Sequence, residues 1–590
     1  MIKLYLNGQP VALYTDTKIG ITAMNPYFNE IGACSYPFTI PYKPNEQVLL
    51  HAARIQSTTL AKNFVWDAIL EVDGIQVLIG EAVAEGDFAV REGQFPIVLR
   101  SAKTSFAKQA ELKKMQEVEF GGETYSGETE PTSRTRRTYT LNACYPELAY
   151  VCAPVYNAAD VGDVAAFWHV PKYINQYDAS LWAIAAPTSE NKTAFITYNF
   201  YVRWILKKLI ETSGFALMDD DMATIADLNR WFLCSFNYLD RYFPEYRYSF
   251  PQITVRDFLK AIRQFGIVVV IDERRRTGSI RFVKSLFGAT TINQLLNANP
   301  YLDTVVLSYP KEGYAVAYKE GYGDRATQEV GPNMTVVTVA NIAALPSPTE
   351  FYASGTAYYT SGSGKYYQCV IAEKAVDTNP DVWIWKEVSQ CRAYTMGNGE
   401  EKVEIGVKVA GQRWETQAVT RTVAILGEDG ETWNYVTKTW NIDVEMPDID
   451  QKMNATFQSG ATGKYEDWPL VFLFNWGLKT YVCSEDSHFT TIFPQISGDC
   501  YSRDETLLGS ISMRTEGTKS IVAQLVKAEQ DWLLVRKSKR QYFRLSVLDY
   551  ANFEWGDTYN VANVNYLVNS LKFDITVQGI SLIEAELYTV

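Results

Sequence analysis

Apolar and polar positions alternate with period two over much of the chain, and Gly, Asn and Pro cut the alternation again and again. That is the pattern of short strands joined by turns. Two extended apolar runs meet at Leu6-Asn7-Gly8-Gln9, where Asn-Gly suits the positive-φ positions of a two-residue hairpin turn. The run Phe64–Val72 reaches Asp73-Gly74 and returns as Ile75–Ile79, which predicts a second hairpin. Between them Ser35–Pro41 is extended, and its two prolines fit an edge strand.

The period changes in two places. Val202, Ile205, Leu206, Leu209 and Ile210 share one helical face, with Gly214 as the stop. Thr254 reads as an N-cap with Asp257 three residues on, and Val255, Phe258, Leu259 and Ile262 form the buried stripe. Gly266 ends that helix. Ile267–Ile271 then reads as a buried strand that turns through Asp272–Gly278 into Ser279–Val283. Residues 117–140 are charged and almost free of aliphatics, and read as a long loop or linker.

Residues 333–392 change character again. Short strands broken by Ser-Gly pairs and rich in Tyr and Trp predict a small β-module inserted in a larger domain. Downstream, Thr518–Val535 is a helix candidate with Ile521, Val522, Leu525, Ala528 and Trp532 on one side. Phe543, Leu545 and Val547 alternate, as do Leu571, Phe573, Ile575 and Val577, and Gln578-Gly579 reverses the chain into Leu582–Leu587. The fold class is therefore mainly β with inserted helices (α+β), multidomain, with barrel- or sandwich-like domains. The division is a β domain over 1–115, a linker over 116–140, an α+β domain over 141–332, the insert over 333–392, and a C-terminal β domain with one helix over 393–590.

Composition narrows the function. The 590 residues are 47% hydrophobic and 14% aromatic, which excludes a disordered chain, and a net charge of −13 argues against a protein that coats nucleic acid. The eight cysteines contain no C-x-x-C, and the three histidines (His51, His169, His488) are scattered, so no metal site and no cofactor are expected. Free thiols are the default for Cys144 with Cys152 and for Cys369 with Cys391. The start lacks the features of a secretory leader, and the most apolar stretches, Phe265–Ile271 and Trp468–Phe474, are shorter than a membrane span, so synthesis in a host cytoplasm is expected.

Gly362-Ser363-Gly364-Lys365 and Gly460–Lys464 evoke a phosphate loop, but a Tyr follows each Lys where Ser or Thr would bind magnesium, and both read as loops between strands. Asp219-Asp220-Asp221 and Asp448/Asp450 read as solvated turns, and His488 near Asp486 and Cys483 has no identifiable catalytic partner. Arg274, Arg275 and Arg276 sit on a hairpin tip, where they would meet acids of a neighbouring subunit or DNA phosphate.

Several stretches, taken in order, resemble tail-tip or baseplate hub proteins of tailed phages, of the late-control-D and tail-associated type. They are CSYPFTIPYKPNEQV, FVWDAILEVDGIQVLIGEA, NFYVRWILKKLIETSGFAL, ITVRDFLKAIRQFGIVVVIDERRRTGSIRF and YLVNSLKFDITVQGISLIEAELYTV. The resemblance implies a non-enzymatic virion protein that forms a ring around the tail axis, most often a trimer, with a hexamer as the alternative. That ring would link tube, distal ring and spike or fibre, and would meet DNA only in passage. A distal-tail ring or adaptor is the neighbouring reading. FYASGTAYYTSGSGKYYQC with NPDVWIWKEV resembles a small chitin-type carbohydrate-binding module, which implies that Tyr358, Tyr366, Tyr367, Trp383 and Trp385 could stack on a host-surface glycan, and offers a glycan-binding or depolymerising tail component as a further alternative.

Overall fold

The computed structural model describes the chain except residues 31, 50–64, 85–92, 121–129, 158–172, 186–195, 240–248, 273–274, 289–291, 295–297, 307–310, 320–333, 354, 372–382, 389–392, 427–431, 450–453, 457–468, 484–488, 503 and 562. The fold is mainly β, with several separate sheets and short helices between them. No helix of the described residues is long and apolar enough to cross a membrane.

The two ends of the chain meet in one fifteen-stranded sheet. Strand Ile19–Met24 runs antiparallel to Val564–Thr576, in register from Ile19↔Ile575 to Met24↔Ser570. Leu4, Leu6, Ile21, Trp66 and Phe95 from the start pack in one buried cluster with Leu571, Phe573, Ile575 and Leu587 from the end. The expected separate β domains over 1–115 and 393–590 are thus corrected, because their terminal strands share a sheet and a core. Each end carries strands with a single apolar face, and edge-to-edge pairing makes those faces continuous. The hairpin turns form as expected, with positive φ at Asn7 (48°), Gly8 (74°), Asp73 (53°) and Gly74 (81°).

A second, larger core holds the helices Val202–Thr212 and Val255–Arg263. Val202–Thr212 buries the predicted stripe plus Trp204, and Gly214 follows at φ 84°. Thr254 caps Val255–Arg263 by accepting the Asp257 N–H. Asp257 does not reach back to the backbone of Thr254, and instead accepts its hydroxyl proton at 2.7 Å.

Gly266, at φ 71°, lets this unit pack closely, since a Cβ there would stand 2.7 Å from the carbonyl oxygen of Leu525. Leu525 lies in a π-turn, Val522–Val526, that leads into the helix Lys527–Val535. The wider turn rotates the residues after it. Glu529 therefore faces inward, where the stripe of a regular helix would have put Ala528, and pairs bidentately with Arg263 at 2.6 and 2.8 Å. Gly266→Ala combines a left-handed backbone with a backbone clash, so a loss of about 2 kcal/mol or more is expected, read as a lower denaturant midpoint at unchanged slope. An unchanged midpoint would mean that this approach is not tight.

Two further expectations are corrected. The polar stretch 116–140 is not simply a linker, because Glu130–Tyr139 is a helix folded onto the core with Arg137 fully buried. Arg136 bonds the Tyr150 hydroxyl, Thr138 Oγ1 accepts the Ile184 N–H at 3.1 Å, and Thr140 Oγ1 accepts the Cys152 N–H at 2.9 Å. Arginine stems supply the apolar surface that aliphatics would have supplied. Val547 does not continue the strand Ser538–Phe543, because Ser546 and Asp549 form a capping box that starts a short helix, Val547–Ala551.

Candidate functional site

The insert leaves and returns along paired strands, Gly313–Tyr318 and Tyr394–Gly397, which match Gly313 with Gly397 and Val316 with Tyr394. Between them Thr335–Val339, Thr356–Thr360, Lys365–Ile371 and Trp383–Val388 form a four-stranded sheet in that order.

Register decides where its aromatics point. Tyr358 stands opposite Tyr367, Tyr367 opposite Glu387, and Cys369 opposite Trp385, so these side chains share one face. Tyr367 is buried there, and burial raises its pKa. Tyr366 is buried on the other face, its ring 4.8 Å from that of Tyr359 and its hydroxyl bonded to Glu516. These two are corrected from sugar platform to core, since a module this small has little else to bury. Trp385 is half-buried: its Nε1–H donates to the Pro346 carbonyl at 2.7 Å, and its ring packs on Tyr358 (5.0 Å) and Tyr352 (5.8 Å). Trp383 is half-buried on the same face, and Phe351, beside Tyr352, is 83% exposed.

Beneath the same face lies a buried charge cluster that sequence reading did not find. Lys365, 1% exposed, places Nζ 3.3 Å from Glu387, 3.8 Å from Asp499 and 2.8 Å from the Ser502 carbonyl. Arg514 bridges the same two acids, at 2.6 Å to Asp499 and 2.6 Å to Glu387. Lys365 and Glu387 belong to the insert and Asp499 and Arg514 to the body, so the cluster fixes one to the other. Around it Glu505 accepts from Ser363 Oγ at 2.9 Å and from the Ile342 N–H at 2.7 Å, and the Tyr501 hydroxyl donates to the Gly362 carbonyl at 2.8 Å. Burial works against the Lys365 ammonium, but Glu387 and Asp499 outweigh it and raise its pKa. On the strand Trp433–Ile449, burial pushes the Glu445 carboxyl up to about 7, against the pull of Lys365 and the hydrogen bond from Gln495. The loop reading of Gly362-Ser363-Gly364-Lys365 stops at Gly364, because Lys365 opens a strand and points inward. Its following Tyr, the feature that dismissed a phosphate loop, marks that strand.

Two arginines of the tip have contacts within the chain. Arg275 lies 3.7 Å from Asp272 and 3.9 Å from Glu554. Arg276, at φ 54°, sits with its guanidinium 5.6 Å from the Phe215 ring, and its carbonyl accepts the Ala216 N–H at 3.0 Å. Arg274 lies outside the described residues. The acidic run beside it is structural as well: Asp220 pairs with Arg203 at 2.5 Å, and Asp221 accepts the Phe282 N–H at 2.8 Å. The solvated-turn reading of Asp220 and Asp221 is corrected, because partners within the chain occupy these charges, whereas Arg275 and Arg276 are exposed.

The chain also carries a long hairpin arm, Gly411–Leu426 with Trp433–Ile449, paired without a break from Gly411↔Asp448 to Leu426↔Trp433. Its inner half is anchored: Val419, Trp440, Ile442, Val444 and Met446 are buried, Trp440 stacks on Phe489 at 3.7 Å, and Arg421 covers the Trp182 ring at 4.3 Å. From Thr420 and Thr439 outward, every residue on one face is exposed, and its end carries Leu426, Trp433 (60% exposed) and Tyr435 (77%). Sequence reading passed over this arm, although the residues Gly-Glu-Asp-Gly at 427–430, between two Thr- and Val-rich runs, were a usable hairpin signal in the sequence.

Among the described residues no group of three or more His, Cys, Asp or Glu side chains is placed to hold a metal ion, and the seven described cysteines are free thiols; Cys391, Asp486 and His488 lie outside those residues. No family model and no curated protein matches the chain. Among solved structures it is similar to the 43 kDa tail protein of prophage MuSo2 from Shewanella oneidensis, with a TM-score of 0.30 and 8% identity over 100% of this chain and 97% of that one. A likeness this distant assigns the chain neither a fold nor a role.

Proposed function

We propose that this chain is a structural subunit of a phage tail tip or baseplate hub, located in the virion, that self-assembles into a ring and holds other tail proteins. The observation that carries the reading is the arm. A two-stranded hairpin is marginally stable on its own in water, and this one extends beyond the body with an apolar, aromatic end. Such an element gains its stability from a partner. The ordered resemblance in the sequence names the kind of partner: subunits of a tail ring, with tube and spike or fibre components above and below.

The test is direct. Purified chain imaged by negative-stain electron microscopy is expected to show closed rings, and Trp433→Ala with Tyr435→Ala is expected to reduce their number without lowering the melting temperature. Rings of six would move the chain to the distal-tail position, and isolated particles at every concentration would contradict the reading.

A second reading, host-glycan binding by the insert, is favoured by one observation: Phe351, Tyr352, Tyr358 and Trp385 form a connected cluster that opens to solvent at Phe351. Binding to a glycan array that disappears in Phe351→Ala would support it.

A further inference from the structure

The insert sheet ends in an unguarded strand. Among the described residues Thr335–Val339 pairs on one side only, in parallel with Thr356–Thr360. The Thr335 N–H donates to the Gly355 carbonyl at 2.8 Å, and the Val339 carbonyl accepts from the Ser361 N–H at 2.9 Å. Thr335, Val337 and Val339 therefore turn their backbone groups toward that neighbour, and Val336 and Thr338, between them, turn theirs outward. Thr335, Val337 and Thr338 are exposed, and the strand holds no charge, no proline and no bulge. Natural edges usually carry one of these, because an open row of N–H and C=O groups pairs with any strand that reaches it.

The arm ends its own sheet in the same way. Gly411–Leu426 is the last of four strands. Thr420 donates its N–H to Ser180 Oγ at 3.0 Å, away from the partner strand Trp433–Ile449. Thr422 and Ala424, two and four residues further on, thus face their backbone groups outward as well. Past Arg421, whose guanidinium lies over Trp182, the strand reads Thr422-Val423-Ala424-Ile425-Leu426, again with no charge and no proline. Ile425 and Leu426 are exposed.

We infer that these two edges cover each other between copies: the outer arm strand of one copy adds antiparallel to Thr335–Val339 of the next, as a fifth strand of its insert sheet. The outward groups of Thr422 and Ala424 meet those of Val336 and Thr338, and Val337, Ile425 and Leu426 lose their exposure. One contact removes both open edges, and neither strand brings a charge that the other copy would repel. The edges belong to different sheets, so the contact is head-to-tail, the type that closes into a ring when the rotation per copy divides a full turn. It rests on the ring reading and names the strands that would make it.

Cross-linking of the full chain tests it. In an antiparallel pair, residues that exchange both hydrogen bonds stand about 5.5 Å apart at Cα, within reach of a disulfide. Val336→Cys and Thr338→Cys are each mixed with Thr422→Cys and with Ala424→Cys and oxidised, with wild type and every variant alone as controls. Covalent chain pairs are expected in the mixtures and not in the controls. Thr338→Pro and Ala424→Pro each remove an outward N–H and leave the sheet's own ladder intact. Each is expected to weaken self-association by about tenfold or more in sedimentation velocity, at an unchanged melting temperature. Cross-links in a single variant alone would mean that like edges pair, and overturn this contact. Self-association that yields no cross-link in any mixture, or that ignores both prolines, also overturns it and leaves the ring reading standing. A wild-type chain that never self-associates overturns both.

Discussion

Arg514→Ala is expected to cost about 3–5 kcal/mol and to loosen the insert before the rest of the chain unfolds. The guanidinium sits 2.6 Å from both Asp499 and Glu387, all three groups are largely buried, and removing it leaves two carboxylates facing a single ammonium, Lys365. Breaking one partner of a buried ionic cluster costs more than the cluster contributes as a whole, because the remaining charge stays desolvated. The local consequence follows from topology. Glu387 belongs to the insert sheet and Asp499 to the body, so the repulsion acts across the seam between them. Limited proteolysis should show the insert released in the variant and retained in wild type, and calorimetry should show an early transition. An unchanged melting curve would mean that the seam is held by other contacts, those of Glu505 and Tyr501 first among them.

The second large effect is a pH dependence centred on Glu445. Burial raises its carboxyl to about 7 from an ordinary value near 4.5, so the folded chain binds a proton that the unfolded chain has released. A raised folded-state pKa contributes stability that is fully present below about pH 4.5 and is lost as pH rises through about 7. The size, at about 1.36 kcal/mol per unit, is about 3 kcal/mol. The groups that face Glu445 are Lys365 and Glu387 from the insert, Asp499 from the body, and Gln495 and Tyr481 from the neighbouring strands. Glu445→Gln keeps an acceptor for the Gln495 amide and removes the titration. The variant should match wild type near pH 4.5 and exceed it by up to about 3 kcal/mol at pH 8, measured by chemical denaturation at both values. Equal stability at pH 8 would mean that Glu445 ionises at no cost in its buried site.

Local signals along the chain specify local structure well. Asn7-Gly8 and Asp73-Gly74 turn where the φ > 0 requirement says they should, and Thr254 caps its helix. The stripe from Val202 to Ile210 is buried as the 3.6-residue period demands. What the sequence hid depends on partners far away in the chain. Nothing near Ile19 announces that it pairs with Ile575. Arg137 and Lys365 look solvated in any window of ten residues, and become core only when distant groups supply hydrogen bonds and counter-charges. The π-turn at Val522–Val526 shifts the helical face by a residue, which no periodicity count would show.

The candidate site divides in the same way. The insert and its strand pairs were legible, because Ser-Gly breaks and aromatic runs are local. The partition of its aromatics was not, since Tyr366 and Tyr367 are consecutive and both buried, on opposite faces against different neighbours. The arm was missed because the outer halves of its strands carry few large apolar residues, with Thr420, Thr422 and Ala424 on one face and Arg421, Val423 and Ile425 on the other. The exposed aromatic end, Trp433 and Tyr435, is the physical sign of an element built to be covered by something else.

The measurement that tests the central claim most directly is the solution mass of the purified chain by light scattering across a concentration series. A self-assembling hub subunit should settle at three times the 66.8 kDa chain mass. A mass that stays at one chain at every concentration would contradict the account.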